Sequence, residues 1–235
     1  MFFHDPLFLV LTVVGGLLVF LPQMWVQRTY RAFATHSTAQ GLTGAEVATQ
    51  ILRENGLHEV SVEVSHGLLS DHYDPSARAV RLSEDNYYGR SVAGAAVAAH
   101  EVGHAIQHAR GFTPVVVRSA MFPAVNLGSQ LGPLLFMASL FMGIGSELGF
   151  MTAALGVVLF SLSVLFHVVT LPVEIDASLR AIKILSDGRY LTTQELPGAK
   201  KVLTAAAMTY VAAALYSLMQ LMYYIFTLLN SRRDD

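Results

Sequence analysis

Residues Ala99-His100-Glu101-Val102-Gly103-His104-Ala105 decide how this chain is read. They contain His-Glu-x-x-His, and their surroundings predict a helix. Ser91 is a candidate N-cap, and Ala93, Ala95, Ala96, Ala98 and Ala99 favour or tolerate helix. Gly111, with Pro114 beyond it, supplies a stop. On a helix His100 and His104 stand one turn apart on one face, so both imidazoles can bind a single Zn²⁺. Glu101 then projects beside the metal, placed to take a proton from the attacking water. The competing reading is an ordinary helix that carries two histidines and a glutamate by chance. An alanine-rich apolar helix is a poor host for three polar side chains without a task, which favours the metal.

Working outward, the 235 residues are 53% hydrophobic and only 14% charged, and the mean hydropathy is +0.48. Soluble domains carry about 25% charged residues, so this composition indicates a membrane protein. The net charge of −2 and the lack of any basic run give no footing for nucleic acid. There is no cysteine, which excludes disulfides and thiolate ligands. A metal site here must use His, Asp or Glu, as catalytic zinc sites with an open position do.

Four apolar stretches are long enough to span a bilayer. The first, over 6–26, is followed rather than preceded by basic residues and is too long for a signal-peptide core, so it reads as a retained span. The second lies within 119–145, with Pro123 and Pro133 expected to kink or break it. The third covers 150–171, after which Pro172 is expected to open a separate helix. The fourth covers 202–229, followed by a short tail. Between the first two spans, residues 43–56 read as a capped helix, 60–65 as a half-exposed strand and 79–82 as a second strand. Asp71-His72-Tyr73-Asp74-Pro75 reads as a turn, either simply structural or close to a metal or substrate.

The boundaries that follow are 1–26 for the first span and 27–118 for the helix, small sheet and metal helix. They continue as 119–172 for two spans, 173–201 for a further helix and connector, and 202–235 for the fourth span and tail. Eight Lys and Arg fall between spans one and two, five between spans three and four, and none between two and three. The positive-inside rule puts both basic loops in the cytoplasm, and with them the metal helix and Glu174.

A catalytic zinc needs a third protein ligand. His108 continues the helical face of His100 and His104, but lies about 12 Å from His100 along the axis. One ion at ~2 Å from each nitrogen cannot bridge that. His108 is therefore expected in a supporting role. Glu174, two residues after Pro172 and on the correct side, is the better candidate, with Asp176 the alternative. Asp176 is otherwise expected to hydrogen-bond a metal-binding histidine. His167 reads as a hydrogen-bonded helix partner rather than a ligand.

Several runs carry a resemblance. They are Ser91-Val-Ala-Gly-Ala-Ala-Val-Ala-Ala-His-Glu-Val-Gly-His-Ala-Ile-Gln-His108, the Asp71–Pro75 segment, Leu171-Pro-Val-Glu-Ile-Asp-Ala-Ser178 and Thr204–Ala213. In that order they resemble the neutral zinc metallopeptidase family of bacterial integral-membrane proteins, over nearly the whole chain. More distantly the pattern is similar to the membrane-embedded M48 peptidases. There a glutamate on a later helix is the third zinc ligand, which implies Glu174 here. Those proteins also carry an Asp four residues after that Glu, where this chain has Ser178.

The implied fold is a mainly α, polytopic membrane protein with about four transmembrane helices. To these it adds a small α+β zincin-like catalytic domain of minimal gluzincin type. The implied activity is zinc-dependent hydrolysis of peptide bonds in membrane or membrane-proximal proteins at the bacterial inner membrane. One Zn²⁺ per chain would sit on His100, His104 and Glu174, with Glu101 as general base. Oxyanion donors are to be sought among His72, Tyr73, His167 and Arg180. Two rival readings stand beside this one: a zinc hydrolase of a non-peptide or lipid-linked amide, and a catalytically silent membrane scaffold.

Overall fold

The computed structural model describes residues 6–67 and 70–231. Among them, seven helices and three strands run in the order α1 (Pro6–Ala34), α2 (Gly44–Glu54), β1 (Ser61–Ser65), β2 (His72–Asp74), β3 (Ala79–Ser83), α3 (Glu84–Tyr88), α4 (Val92–Ala109), α5 (Thr113–Phe141), α6 (Glu147–Asp187) and α7 (Leu196–Asn230). α1, α5, α6 and α7 are long and apolar enough to cross a membrane. The protein is thus a mainly α polytopic membrane protein carrying a small three-stranded sheet. The tail beyond Ser231 lies outside the described residues.

The chain divides into two compact units. One gathers the described residues up to Leu21, Val117–Leu171 and those from Tyr210 on. Its core is aromatic: Phe136 stacks on Tyr224 with ring centroids 4.0 Å apart, and Phe160, Val164 and Tyr223 close around them. Here α5 and α6 meet through glycines. A Cβ on Gly156 would stand 2.8 Å from the Gly132 carbonyl oxygen, so only a bare backbone fits. Small residues at a helix crossing are how apolar helices pack when water offers no driving force between them. Outward faces keep large apolar side chains such as Phe20, Phe122, Leu134, Met151 and Leu155 exposed, as a lipid-facing surface requires.

The second unit comprises Pro22–Val116 and Pro172–Thr209. Its core joins Val47, Ile51 and Leu52 of α2, Val80 and Leu82 of β3, and Val102 and Ile106 of α4 with Leu185, Leu191 and Leu203. α2 begins with a capping box in which Thr43 Oγ1 accepts from Glu46 N and Glu46 accepts from Thr43 N. The sheet order is β1-β3-β2. β3 pairs parallel with β1, Val62 opposite Val80, and antiparallel with β2, Tyr73 opposite Val80.

Three sequence expectations change. His72–Asp74 is a strand rather than part of a turn. The turn comes just after it, where Asp74 Oδ1 accepts from Ser76 N and Ala77 N and Arg78 takes φ 51°. Asp74-Pro75 thus marks the turn's start, and extended pairing with β3 claims the residues before it. Pro123 and Pro133 lie inside an uninterrupted α5. Pro172 likewise sits within a single helix α6 instead of opening a new one. The helical assignment runs through all three prolines, so none of them breaks its helix: each ring leaves one carbonyl without its N–H partner, and in a long membrane helix neighbouring groups can take up that carbonyl.

Asp71 has a structural task. It accepts from Ser83 N at 2.8 Å and from Asn86 Nδ2 at 3.0 Å, and Asn86 Oδ1 accepts from the Tyr30 hydroxyl at 2.7 Å. Asn86 is fully buried, so this chain of bonds ties β2, the start of α3 and α1 together inside the unit.

Candidate metal centre

The site is built on α4, the most enclosed helix of the second unit. Ser91 caps it by accepting from Gly94 N at 3.0 Å, and Gly111, at φ 60°, follows its end. Alanine and valine cover the faces turned to α2 and the sheet, leaving His100 and His104 together on a remaining face. Their rings meet edge to face with centroids 4.7 Å apart.

Opposite them comes Glu174 from α6, 2% exposed. Its Oε2 lies 3.4 Å from His100 Nε2 and 3.5 Å from His104 Nε2. The candidate ligand atoms of the three residues all fall within 4.8 Å of one another. Two atoms bound tetrahedrally at 2.0–2.1 Å to one ion stand about 3.3 Å apart, so the two carboxylate–imidazole distances and the two-nitrogen, one-oxygen donor set fit zinc. Gly103 makes this approach possible. A Cβ there would meet Ala177 O at 3.0 Å and Ala177 Cα at 3.3 Å, so α4 and α6 touch backbone to backbone one residue from the histidine.

The far nitrogens of both rings are also engaged. Ser178 Oγ lies 3.2 Å from His100 Nδ1. Gln107 Oε1 lies 3.0 Å from His104 Nδ1. Burial pushes the His104 imidazole toward its neutral form, but the Glu174 carboxylate facing it, then Glu101 and Gln107, more than reverse this. Its pKa is raised above the ordinary histidine value. Protons and a metal therefore compete for the same lone pair. Glu101 is buried, at 8% exposure.

The remaining sequence candidates separate clearly. Asp176 does not hydrogen-bond a histidine, contrary to expectation. Its Oδ2 accepts from Gln107 Nε2 at 2.8 Å and from Arg180 Nε at 2.5 Å. Two positions beyond Glu174 on a helix, it projects about 200° away and reaches the histidine only through Gln107. Arg180 is held there, with its guanidinium 5.9 Å from the Phe112 ring centroid. The Tyr73 hydroxyl lies 3.1 Å from His108 Nδ1, linking β2 to the last turn of α4. His72 is exposed, with its Nδ1 2.8 Å from Ser70 O. His167 belongs to the other unit, where its Nδ1 lies 2.8 Å from Ser163 O, one turn earlier in the same helix. Sequence reasoning missed Gln107. The available signal was a long amide three residues after His104 on a helix otherwise made of small apolar side chains.

A helical membrane protein with two histidines from one helix and a buried glutamate from a later one belongs to a recognisable class, and comparison with known proteins supports it. Residues 8–229 match the model of the family described as "Putative neutral zinc metallopeptidase". The chain belongs to this neutral zinc metallopeptidase family. It is 44% identical, over 229 residues, to the Bacillus subtilis protein named "Putative membrane protease YugP", which covers 97% of this chain and 100% of the relative. No solved structure matches the chain.

Proposed function

We propose that this protein is a membrane-embedded zinc endopeptidase that cleaves membrane or membrane-proximal proteins. The observation that carries the proposal is the convergence of Glu174 Oε2 on both Nε2 atoms at 3.4 and 3.5 Å. In this reading His100, His104 and Glu174 hold one zinc, in a minimal gluzincin arrangement. When bound, zinc supplies polarisation of a scissile carbonyl and acidification of a water. Glu101 follows His100 directly, and its charge is felt at His104. It takes the proton of the attacking water and delivers it to the leaving amine. Arg180 is committed to Asp176, which leaves Tyr73, paired with His108, as the stronger oxyanion-donor candidate. The excess of Lys and Arg in the two loops that carry the site residues supports a site on the cytoplasmic side of the bacterial inner membrane in this reading. Polypeptide is the favoured substrate because the matched family and relative are both named for proteolysis.

Elemental analysis of detergent-purified protein tests the ligand set: about one zinc per chain in wild type, and marked loss in Glu174→Ala. Glu101→Gln should keep its zinc while turnover falls about 100-fold or more. New protein termini generated by wild type and absent with Glu101→Gln identify proteolysis. Zinc retained in full by Glu174→Ala moves the third ligand elsewhere. Hydrolysis that leaves polypeptides intact points to another amide.

A further inference from the structure

Gln107 is fully buried, and its surroundings dictate which way its amide faces. Nε2 lies 2.8 Å from Val173 O and 2.8 Å from Asp176 Oδ2. A backbone carbonyl and a carboxylate paired with Arg180 can only accept, so the NH₂ group must be on that side. Turning the amide over would set its oxygen against two acceptors, a costly arrangement for a buried group. Oε1 is therefore fixed 3.0 Å from His104 Nδ1. That oxygen can only accept, so Nδ1 carries a proton, and Nε2, on the side of Glu174, is the nitrogen left for a metal.

We infer that Gln107 is a positioning residue. Clamped by the Val173 carbonyl and the Asp176 carboxylate, its amide holds His104 as the Nδ1–H tautomer, with Nε2 presented to the metal. His100 is governed more loosely, since the Ser178 hydroxyl beside its Nδ1 can donate or accept. The two ligands thus differ: one has its tautomer imposed, the other can adopt either. The tautomer follows from the hydrogen bonds alone, while its role in holding metal rests on the proposed zinc site.

Two measurements on the full chain in detergent test this. Long-range ¹H–¹⁵N NMR of the metal-free wild type should show a proton on His104 Nδ1, whether or not Nε2 also carries one toward the Glu174 carboxylate. A bare Nδ1 overturns the inference. Zinc dissociation constants from chelator competition should weaken 10- to 100-fold in Gln107→Met, the range typical for losing a partner of a metal-bound histidine. An unchanged constant in a folded Gln107→Met protein overturns the positioning role. If that variant does not fold, the wild-type tautomer still decides. A wild type that binds no zinc but shows the stated tautomer overturns the metal reading and not the clamp.

Discussion

Gly103 and Ala177 meet with no side chain between them: a Cβ on the glycine would lie 3.0 Å from the alanine's carbonyl oxygen. This contact sits beside His104 on α4 and between Glu174 and Ser178 on α6. The separation of the two helices here sets the distance between the nitrogens and the carboxylate.

Gly103→Ala is accordingly expected to affect zinc more than folding. Alanine gains about 1 kcal/mol of helix propensity over glycine, which offsets part of the roughly 1–3 kcal/mol that overpacking costs. The thermal midpoint of the metal-free protein should move little. The zinc dissociation constant should rise about 10-fold, because a shift of a few tenths of an ångström falls directly on the ligand spacing. Chelator competition checks this, and zinc affinity equal to wild type would show that the helices can slide without disturbing the ligands.

Metal removal should lower stability by mass action. At free zinc 100 times the dissociation constant, binding stabilises the folded chain by about 2.7 kcal/mol. Thermal unfolding with zinc and with excess chelator should give clearly separated midpoints for wild type and coincident ones for Glu174→Ala. A separation that survives in the variant would place the stabilising metal elsewhere.

Asp71 is expected to matter for stability. Asp71→Ala leaves Ser83 N and the fully buried Asn86 amide without their acceptor. The loss should be about 2–3 kcal/mol, with Asp71→Asn costing less because one acceptor remains. Thermal unfolding measures both. Equal midpoints for wild type and Asp71→Ala would mean that other acceptors or water replace the carboxylate.

Glu195 should contribute a dependence on pH. Partial burial pushes its pKa up, but N–H donors from Thr192 and Ala39, joined by the Thr192 hydroxyl, more than reverse this and hold it below the ordinary glutamate value. A carboxylate whose pKa is lower folded than unfolded contributes fully above its unfolded value of about 4.3. That contribution fades as pH falls through the folded value. Stability should thus decline on acidification below about pH 5. Part of the decline should be missing in Glu195→Gln, as thermal midpoints across pH 3–7 would reveal.

What could be read from sequence follows from how local each determinant is. Helix α4 was legible because Ser91, the alanines and Gly111 act within a few residues of themselves, and β1 and β3 because alternation is a local signature. β2 was not, since three residues in an Asp- and Pro-rich stretch become a strand only through pairing with β3. The continuity of α5 and α6 as helices was hidden for a related reason: whether proline ends a helix depends on what surrounds it. That His100, His104 and Glu174 lie together was anticipated from the family pattern and from loop sidedness. The links from Asp176 through Gln107 to His104 were not, because each joins residues whose proximity exists only after α4 and α6 have packed.

The division of the candidate ligands between α4 and α6 has a consequence for biosynthesis. A ribosome releases His100 and His104 well before Glu174, with all of α5 and more than half of α6 still to be made. A nascent chain in that interval holds the two imidazoles without the Glu174 carboxylate, one candidate ligand short of the site. On the proposed zinc site, hydrolytic competence would thus arrive only after the third apolar segment has been synthesised.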